Sequence, residues 1–247
     1  MNSVITILGG NGFVGRKVIE KLLIRGSKST KIYVISRSNK VNSNNYRYDD
    51  RVEFVKGNAL HPEDFAHLIK KSTGVVHSIG TLLTLKPKDD PDSYYSLSYL
   101  TCQKIVDIIE NESLKNKINF AYVSAGRGLI FPLSLIFSGY IDNKRAAEKL
   151  IFSKELRNIN PTVFRPGVIK DAIDRPISVP IYHVANFYSM LEEKVYNKAF
   201  PGIGEKLNLP VEGTELADLA TCIAKAVLGE IEGGKIYENK DMRKYSV

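Results

Sequence analysis

Val4-Ile5-Thr6-Ile7-Leu8-Gly9-Gly10-Asn11-Gly12-Phe13-Val14-Gly15 is the stretch on which the fold turns. Its first five residues form a nearly continuous apolar run, the pattern of a central parallel strand covered on both faces. The run ends abruptly in glycines. Beyond them Val14, Val18, Ile19, Leu22 and Leu23 recur at helical spacing, with Arg16, Lys17, Glu20 and Lys21 on the opposite face. Gly26 stops that helix. Lys31-Ile32-Tyr33-Val34-Ile35 then reads as a second strand, which completes a β-α-β unit.

Each glycine of the turn has a physical task. Gly9 permits the sharp bend, Gly12 lets backbone N–H groups approach a pyrophosphate, and Gly15 lets the helix pack closely on the strand. The phosphates then sit at a helix N-terminus, where the dipole and the N–H groups favour anions. A glycine triplet alone is weak evidence, because such a turn can serve packing only. Strand, turn, helix and second strand in this order supply the confirming context. The end of the second strand bears on which dinucleotide binds. NAD sites usually carry Asp or Glu there, whereas this chain has Ser36-Arg37-Ser38. Arg37 can pair with a 2′-phosphate, with Ser36, Ser38 and Lys40 as neighbouring donors, so NADP(H) is favoured. The competing reading of Arg37 is an ordinary solvated surface residue.

The alternation continues along the chain. Val52–Lys56, Gly74–Ser78 and Asn119–Ser124 read as the third, fourth and fifth strands, with helices near Pro62–Lys71 and Tyr94–Asn111. Ser38–Asp50 is Asn- and Ser-rich and reads as a surface loop. The 247 residues suffice for one sizeable core, and 43% hydrophobic with 25% charged residues excludes disorder, collagen-like repeats and a coiled coil. Cys102 and Cys222 form no disulfide framework, and His61, His67, His77 and His183 lack metal-ligand spacing, so no metal is expected.

Charge gives 35 − 27 = +8 from Lys+Arg against Asp+Glu. That excess suits nucleic acid, an anionic membrane, a phosphorylated ligand or the mitochondrial matrix. The basic residues come singly or in pairs such as Lys70-Lys71, so nucleic acid is not expected as a partner. The apolar run Leu129–Phe137 is far shorter than the ~20 residues of a membrane span, and it contains Pro132 and Ser134. No transmembrane segment, signal peptide or presequence is expected.

The segment with chemistry follows the fifth strand. Ser124 stands at its end, and Tyr140-Ile141-Asp142-Asn143-Lys144 opens a helix running to about Leu156. Tyr and Lys four apart share one helix face. An ammonium beside a phenol favours the phenolate, and a nearby serine hydroxyl can hold a carbonyl or alcohol oxygen in line. Together they make a proton donor for hydride transfer.

With Gly9, Gly12, Gly15, the Tyr140/Lys144 pair and Arg165-Pro166-Gly167 in place, the chain resembles the atypical, extended-like short-chain dehydrogenase/reductase superfamily over most of its length. Gly9–Gly15, Val75–Leu83 and Ser138–Glu148 further resemble a fungal mitochondrial branch of coenzyme Q biosynthesis, itself similar to the NADPH-binding accessory subunit of respiratory complex I. The resemblance implies an α/β fold: a Rossmann-type doubly wound parallel sheet in a single domain spanning 1–247. Its dinucleotide-binding core would cover 1–167, a small substrate-binding portion 168–210, and elements 211–247 would pack back on the core. It implies that Gly9, Gly12, Phe13, Val14 and Gly15 contact the pyrophosphate of NADP(H), that Ser36 and Arg37 hold the 2′-phosphate, and that Asn58 and Ala59 flank the adenine. His77, Ser78 and Ile79 would line the nicotinamide side. Tyr140 would be the general acid/base, Lys144 would hold the nicotinamide ribose and tune Tyr140, and Ser124 would orient substrate. Arg165, Pro166, Gly167 and Val168 would close over the cofactor.

Three positions depart from the family pattern. Asn58 stands where Asp is usual, Ser124-Ala125 offers one serine where many relatives have two, and Ser98 replaces a frequent Asn. Two readings therefore follow from the resemblance: a mitochondrial oxidoreductase of ubiquinone biosynthesis, or a non-catalytic NADPH-binding scaffold in a multiprotein complex at the inner membrane. Leu129–Phe137 is read either as buried core, or as the lining of a pocket for a hydrophobic, prenylated quinone-like substrate, or as a contact with the membrane. The amphipathic stretch Tyr182–Tyr196 reads as a lid or a dimer face, and Thr214–Leu228 as a late helix packing on the sheet.

Overall fold

The computed structural model describes residues 3–38, 49–81, 84–114, 116–126, 138–171, 176–191 and 212–246. Among these, seven strands form one parallel sheet: β1 (Val4–Leu8), β2 (Lys31–Ser36), β3 (Val52–Lys56), β4 (Gly74–His77), β5 (Ile118–Val123), β6 (Ile159–Phe164) and β9 (Lys235–Tyr237). Their order is β3-β2-β1-β4-β5-β6-β9, so the chain reverses its winding between β1 and β4. In sheets of this kind the ligand crevice lies beyond the carboxyl ends of the strands at that reversal. The remaining short pair, β7 (Ile169–Lys170) and β8 (Thr214–Glu215), stands apart from the main sheet. The fold is the doubly wound α/β sheet that the sequence implied.

Strand alternation distributes the core between two faces. In β5, Ala121 and Val123 join a cluster with α1 (Phe13–Arg25) and α6 (Leu216–Val227), while Phe120 and Tyr122 join one with α3 (Thr101–Glu110) and α4 (Ser138–Ile151). Val18, Ile19 and Leu22 of α1 and Leu219 and Ile223 of α6 are fully buried together with Ile5 and Val34. The late helix therefore shares a core with the first strand. Phe65, Leu68 and Ile69, from a short turn at Pro62–Phe65 and α2 (Ala66–Lys70), cover the other face.

Several elements differ from the periodicity reading. The helix expected over Tyr94–Asn111 begins as a wide turn over Tyr95–Leu100, in the i→i+5 manner, before α3 proper starts at Thr101. Such widened turns concentrate at functional sites. Helix α4 stops at Ile151 rather than near Leu156, and β6, β9 and α7 (Asn239–Tyr245) carry too few residues of clear period to be read in advance. Helix α7 is closed by a capping box between Glu238 and Asp241. Helix α5 (Ser178–Leu191) buries Tyr182 and Ala185 and exposes Ile181, Val184 and Phe187. The apolar run Leu129–Phe137, Lys40 and residues 172–175 and 192–210 of the expected substrate portion lie outside the described residues.

Candidate functional site

The crevice is present where the winding reverses. A cleft of about 370 Å³ is lined by Leu8, Gly9, Asn11 and Gly12 of the first turn, Ser36, Arg37 and Ser38 after β2, and Gly57, Asn58 and Ala59 after β3. Ser78, Ile79 and Gly80 after β4 complete it, with Leu97 from the widened turn and Thr101 from the start of α3. Its volume falls in the range of small-ligand sites.

The turn has the shape a pyrophosphate cradle needs. Gly9 sits at φ +80°, and a Cβ there would press on the Ile79 N–H and the Ser78 carbonyl carbon at 3.2 Å. A Cβ on Gly15 would stand 2.5 Å from the Gly9 oxygen and 2.6 Å from the Gly10 Cα, so the first turn of α1 packs directly on the loop backbone. Gly12 caps α1 with no side-chain hydrogen bond, and no acidic residue stands in the first turn. The positive end of α1 therefore faces the cleft with no acid of its own first turn against it. These features fit a dinucleotide phosphate. Phe13 and Val14 open the helix, and Gly15 is buried behind them.

Asn11 donates to the Ser36 hydroxyl at 2.7 Å and to the Ser38 carbonyl at 3.1 Å, tying the glycine turn to the end of β2. The Asn58 side chain accepts from the Leu60 N–H at 3.1 Å, which fixes the turn carrying Ala59. Among the described lining residues Arg37 alone carries a formal charge. Its Nη1 lies 2.6 Å from Asp92 Oδ1.

At the other end, Lys144 is buried behind Ile79 and Gly80, with 2% of its surface exposed. Its Nζ donates to the Val123 carbonyl at 2.8 Å and the Ile79 carbonyl at 3.2 Å, and stands 4.9 Å and 5.9 Å from the ring centres of Tyr122 and Tyr140. Burial pushes the ammonium down to about 8. The ammonium is still predominantly protonated at neutral pH. The Tyr140 ring leans on Tyr94 at 5.6 Å between centres. Tyr140 and Lys144 thus share a helix face behind Ile79 and Gly80, as their spacing predicts.

His77 and Ser124 are placed differently from the sequence expectation. His77 is fully buried, and its neighbours Ser78 and Ile79 form the cleft wall without it. Its Nε2 lies 3.0 Å from the Thr101 hydroxyl, which itself donates to the Leu97 carbonyl at 2.8 Å, so Nε2 is assigned as the donor. Burial, with Lys144 adding repulsion, holds His77 down to about 3, and it stays neutral. The ring packs against Thr101 at the start of α3 and, at 5.3 Å between centres, against Tyr122. Ser124 is likewise turned aside. Its hydroxyl donates to Glu148 and accepts from Arg145 at 3.2 Å. Glu148 lies two helical turns beyond Tyr140, about 12 Å along the axis.

Glu148 was not singled out by sequence reasoning, yet it organises this end of the sheet. It is 4% exposed and receives Arg145 at 2.5 Å and Arg165 at 2.6 Å. Arg165 also reaches Glu238 at 3.3 Å. Burial works to raise the Glu148 carboxyl, but the Arg165 and Ser124 hydrogen bonds and the two guanidinium charges hold it below the usual range. An i,i+3 Arg145/Glu148 pair was the only signal in sequence. Past Arg165 the segment is fixed away from the described cleft lining. The Gly126 N–H donates to the Pro166 carbonyl at 2.6 Å, the Gly167 N–H to the Thr214 hydroxyl at 3.0 Å, and the Thr214 N–H to the Val168 carbonyl at 2.9 Å. Cys102 and Cys222 are buried free thiols pushed up to about 12 by burial, which removes them as nucleophiles.

A glycine cradle stands at the winding reversal, and the Tyr140/Lys144 pair packs behind Ile79 and Gly80 of the cleft wall. Residues 9–183, more than half of the chain, match the family described as NAD(P)H-binding, and the chain belongs to it. The MIOREX complex component 2 of Saccharomyces cerevisiae is 28% identical over 207 residues, 67% of this chain and 72% of that protein. Among solved structures, WbmF of Bordetella bronchiseptica, in complex with NAD+, superposes with a TM-score of 0.63 at 17% identity, over 96% of this chain and 72% of that one. A short-chain dehydrogenase/reductase superfamily protein of Agrobacterium tumefaciens with bound NAD gives 0.63 at 17% identity, over 96% and 77%. The oxidoreductase ylbE of Lactococcus lactis gives 0.60 at 15%, over 98% and 95%. Among the described residues no helix is long and apolar enough to cross a membrane.

Proposed function

We propose that this chain is an NADP(H)-dependent oxidoreductase that reduces a carbonyl on a hydrophobic, prenylated quinone-like substrate in the mitochondrion, in ubiquinone biosynthesis and peripheral to the inner membrane. The observation that carries the catalytic part is the Tyr140/Lys144 pair beside the cleft, with the Lys144 ammonium 5.9 Å from the Tyr140 ring centre. Arg37, charged and at the adenine end of the cleft, supports the 2′-phosphorylated cofactor. The quinone and mitochondrial parts rest on the resemblance of Gly9–Gly15, Val75–Leu83 and Ser138–Glu148 to the fungal branch.

In this reading Gly9, Gly12, Phe13, Val14 and Gly15 bind the pyrophosphate, and Asn58 and Ala59 flank the adenine. Ser78 and Ile79 present the nicotinamide side of the cleft. When bound there, a reduced nicotinamide would supply the hydride that a carbonyl carbon accepts. The Tyr140 hydroxyl gives its proton to the carbonyl oxygen, and Lys144, anchored on the Val123 and Ile79 carbonyls, favours negative charge on the Tyr140 oxygen. Ser124 would orient substrate only by leaving its bond to Glu148.

That last point supports a second reading, a non-catalytic NADPH-binding scaffold in a mitochondrial multiprotein complex. The name of the yeast relative, a complex component, points the same way. Tyr140→Phe separates the two. As an oxidoreductase, the variant keeps NADPH affinity but loses about 100-fold or more of its ability to sustain quinone synthesis in a complementation assay. Full complementation by Tyr140→Phe would establish the scaffold.

A further inference from the structure

The guanidinium at the mouth of the cleft is held by a carboxylate that arrives from far along the chain. Arg37 Nη1 donates to Asp92 Oδ1 at 2.6 Å, and Asp92 Oδ2 accepts from Lys86 Nζ at 3.2 Å. Asp92 is built into position. Its N–H donates to Asp90 Oδ1 at 2.7 Å, the Ser93 N–H donates to the Asp90 carbonyl at 3.0 Å, and the Ser93 hydroxyl donates to the Lys88 carbonyl at 3.0 Å. Lys86 also reaches Asp90 at 3.3 Å. The turn between β4 and the widened turn therefore delivers an acid to the end of β2. NAD sites place an acid at that end of the cleft, where it accepts from the ribose 2′-hydroxyl.

We propose that Asp92 is a specificity-determining residue of the dinucleotide site, competing with a 2′-phosphate for Arg37 and thereby holding down the preference for NADP(H) over NAD(H). This rests on the reading of the cleft as a dinucleotide site with Arg37 at the 2′ position. A 2′-phosphate brings close to two negative charges against the same guanidinium. Two anions on one exposed guanidinium repel, so Asp92 on Nη1 weakens the hold of Arg37 on a phosphate. A 2′-hydroxyl has no such conflict, because it can donate to the carboxylate where it stands. Arg37 supplies the attraction to phosphate, and Asp92 sets how much of it is expressed.

The test is fluorescence titration of the full chain with NADPH and with NADH. The Arg37 and Asp92 side chains are 62% and 42% exposed, so substitutions there leave the core intact. Asp92→Asn is expected to tighten NADPH about fivefold and to leave NADH within about twofold. In Arg37→Ala/Asp92→Asn the gain disappears relative to Arg37→Ala alone. Unchanged or weaker NADPH binding by Asp92→Asn, equal tightening of both cofactors, or a gain that survives without Arg37 overturns the role of Asp92. If Arg37→Ala alone binds NADPH as the wild type does, Arg37 does not hold the phosphate, and both statements fail together.

Discussion

Glu148→Gln is expected to cost the fold about 3 kcal/mol, read as a shift in the urea midpoint at neutral pH. The substitution keeps the side-chain shape and removes one charge. Two guanidinium groups, Arg145 and Arg165, are then left without their shared counter-ion. Breaking a buried pair by removing one partner is expensive because the remaining charge stays desolvated. The arginines keep 26% and 23% of their surface in water, which places the cost at the lower end of that range. The acid limb gives an independent reading. The Glu148 carboxyl is held below its ordinary value of 4.5 in the folded chain, so the unfolded chain takes up the proton first as pH falls. Its stabilising contribution is complete above about 4.5 and is lost as pH drops through the folded value. The wild type loses this part of its stability in acid and Glu148→Gln does not. A penalty under about 1 kcal/mol, with unchanged acid behaviour, would show that the network is solvated and incidental.

Gly15→Ala is expected to weaken dinucleotide binding at least tenfold and to destabilise the chain by roughly 2 kcal/mol. The added methyl would stand 2.5 Å from the Gly9 oxygen and 2.6 Å from the Gly10 Cα, both backbone, so no side chain can yield. Helix α1 must move off the loop, and its N-terminus carries the positive end of the dipole with it. The effect should be unequal between ligands: a dinucleotide, bound through its phosphates, loses more than adenosine. Equal losses for both would mean that the damage is general unfolding, and unchanged binding of both would remove the cradle from the site.

The elements that carry the site were legible because their signals are local. The apolar run of β1, the three glycines and the amphipathic α1 lie within 22 consecutive residues, and the Tyr140/Lys144 pair lies within one helical turn. What escaped reading is non-local. Asp92 meets Arg37 across 55 positions, and Arg165 meets Glu148 across 17. Nothing in the spacing of those residues announces the pairing. His77 was misplaced for a different reason. A strand covered on both faces gives no alternation to show which side a terminal residue takes, and only the packed Thr101 hydroxyl reveals that its ring points into the core. Ser124 stands after β5 as its position in the sequence indicates, but its hydroxyl turns toward an acid two helical turns from Tyr140.

The cleft as an NADP(H) site is tested most directly by titrating the wild-type chain and Arg37→Ala with NADPH and NADH, following nicotinamide fluorescence. NADPH should bind the wild type, and Arg37→Ala should lose about tenfold or more of that affinity while holding NADH unchanged. Wild-type binding of NADH as tight as that of NADPH, with no difference in Arg37→Ala, would contradict it.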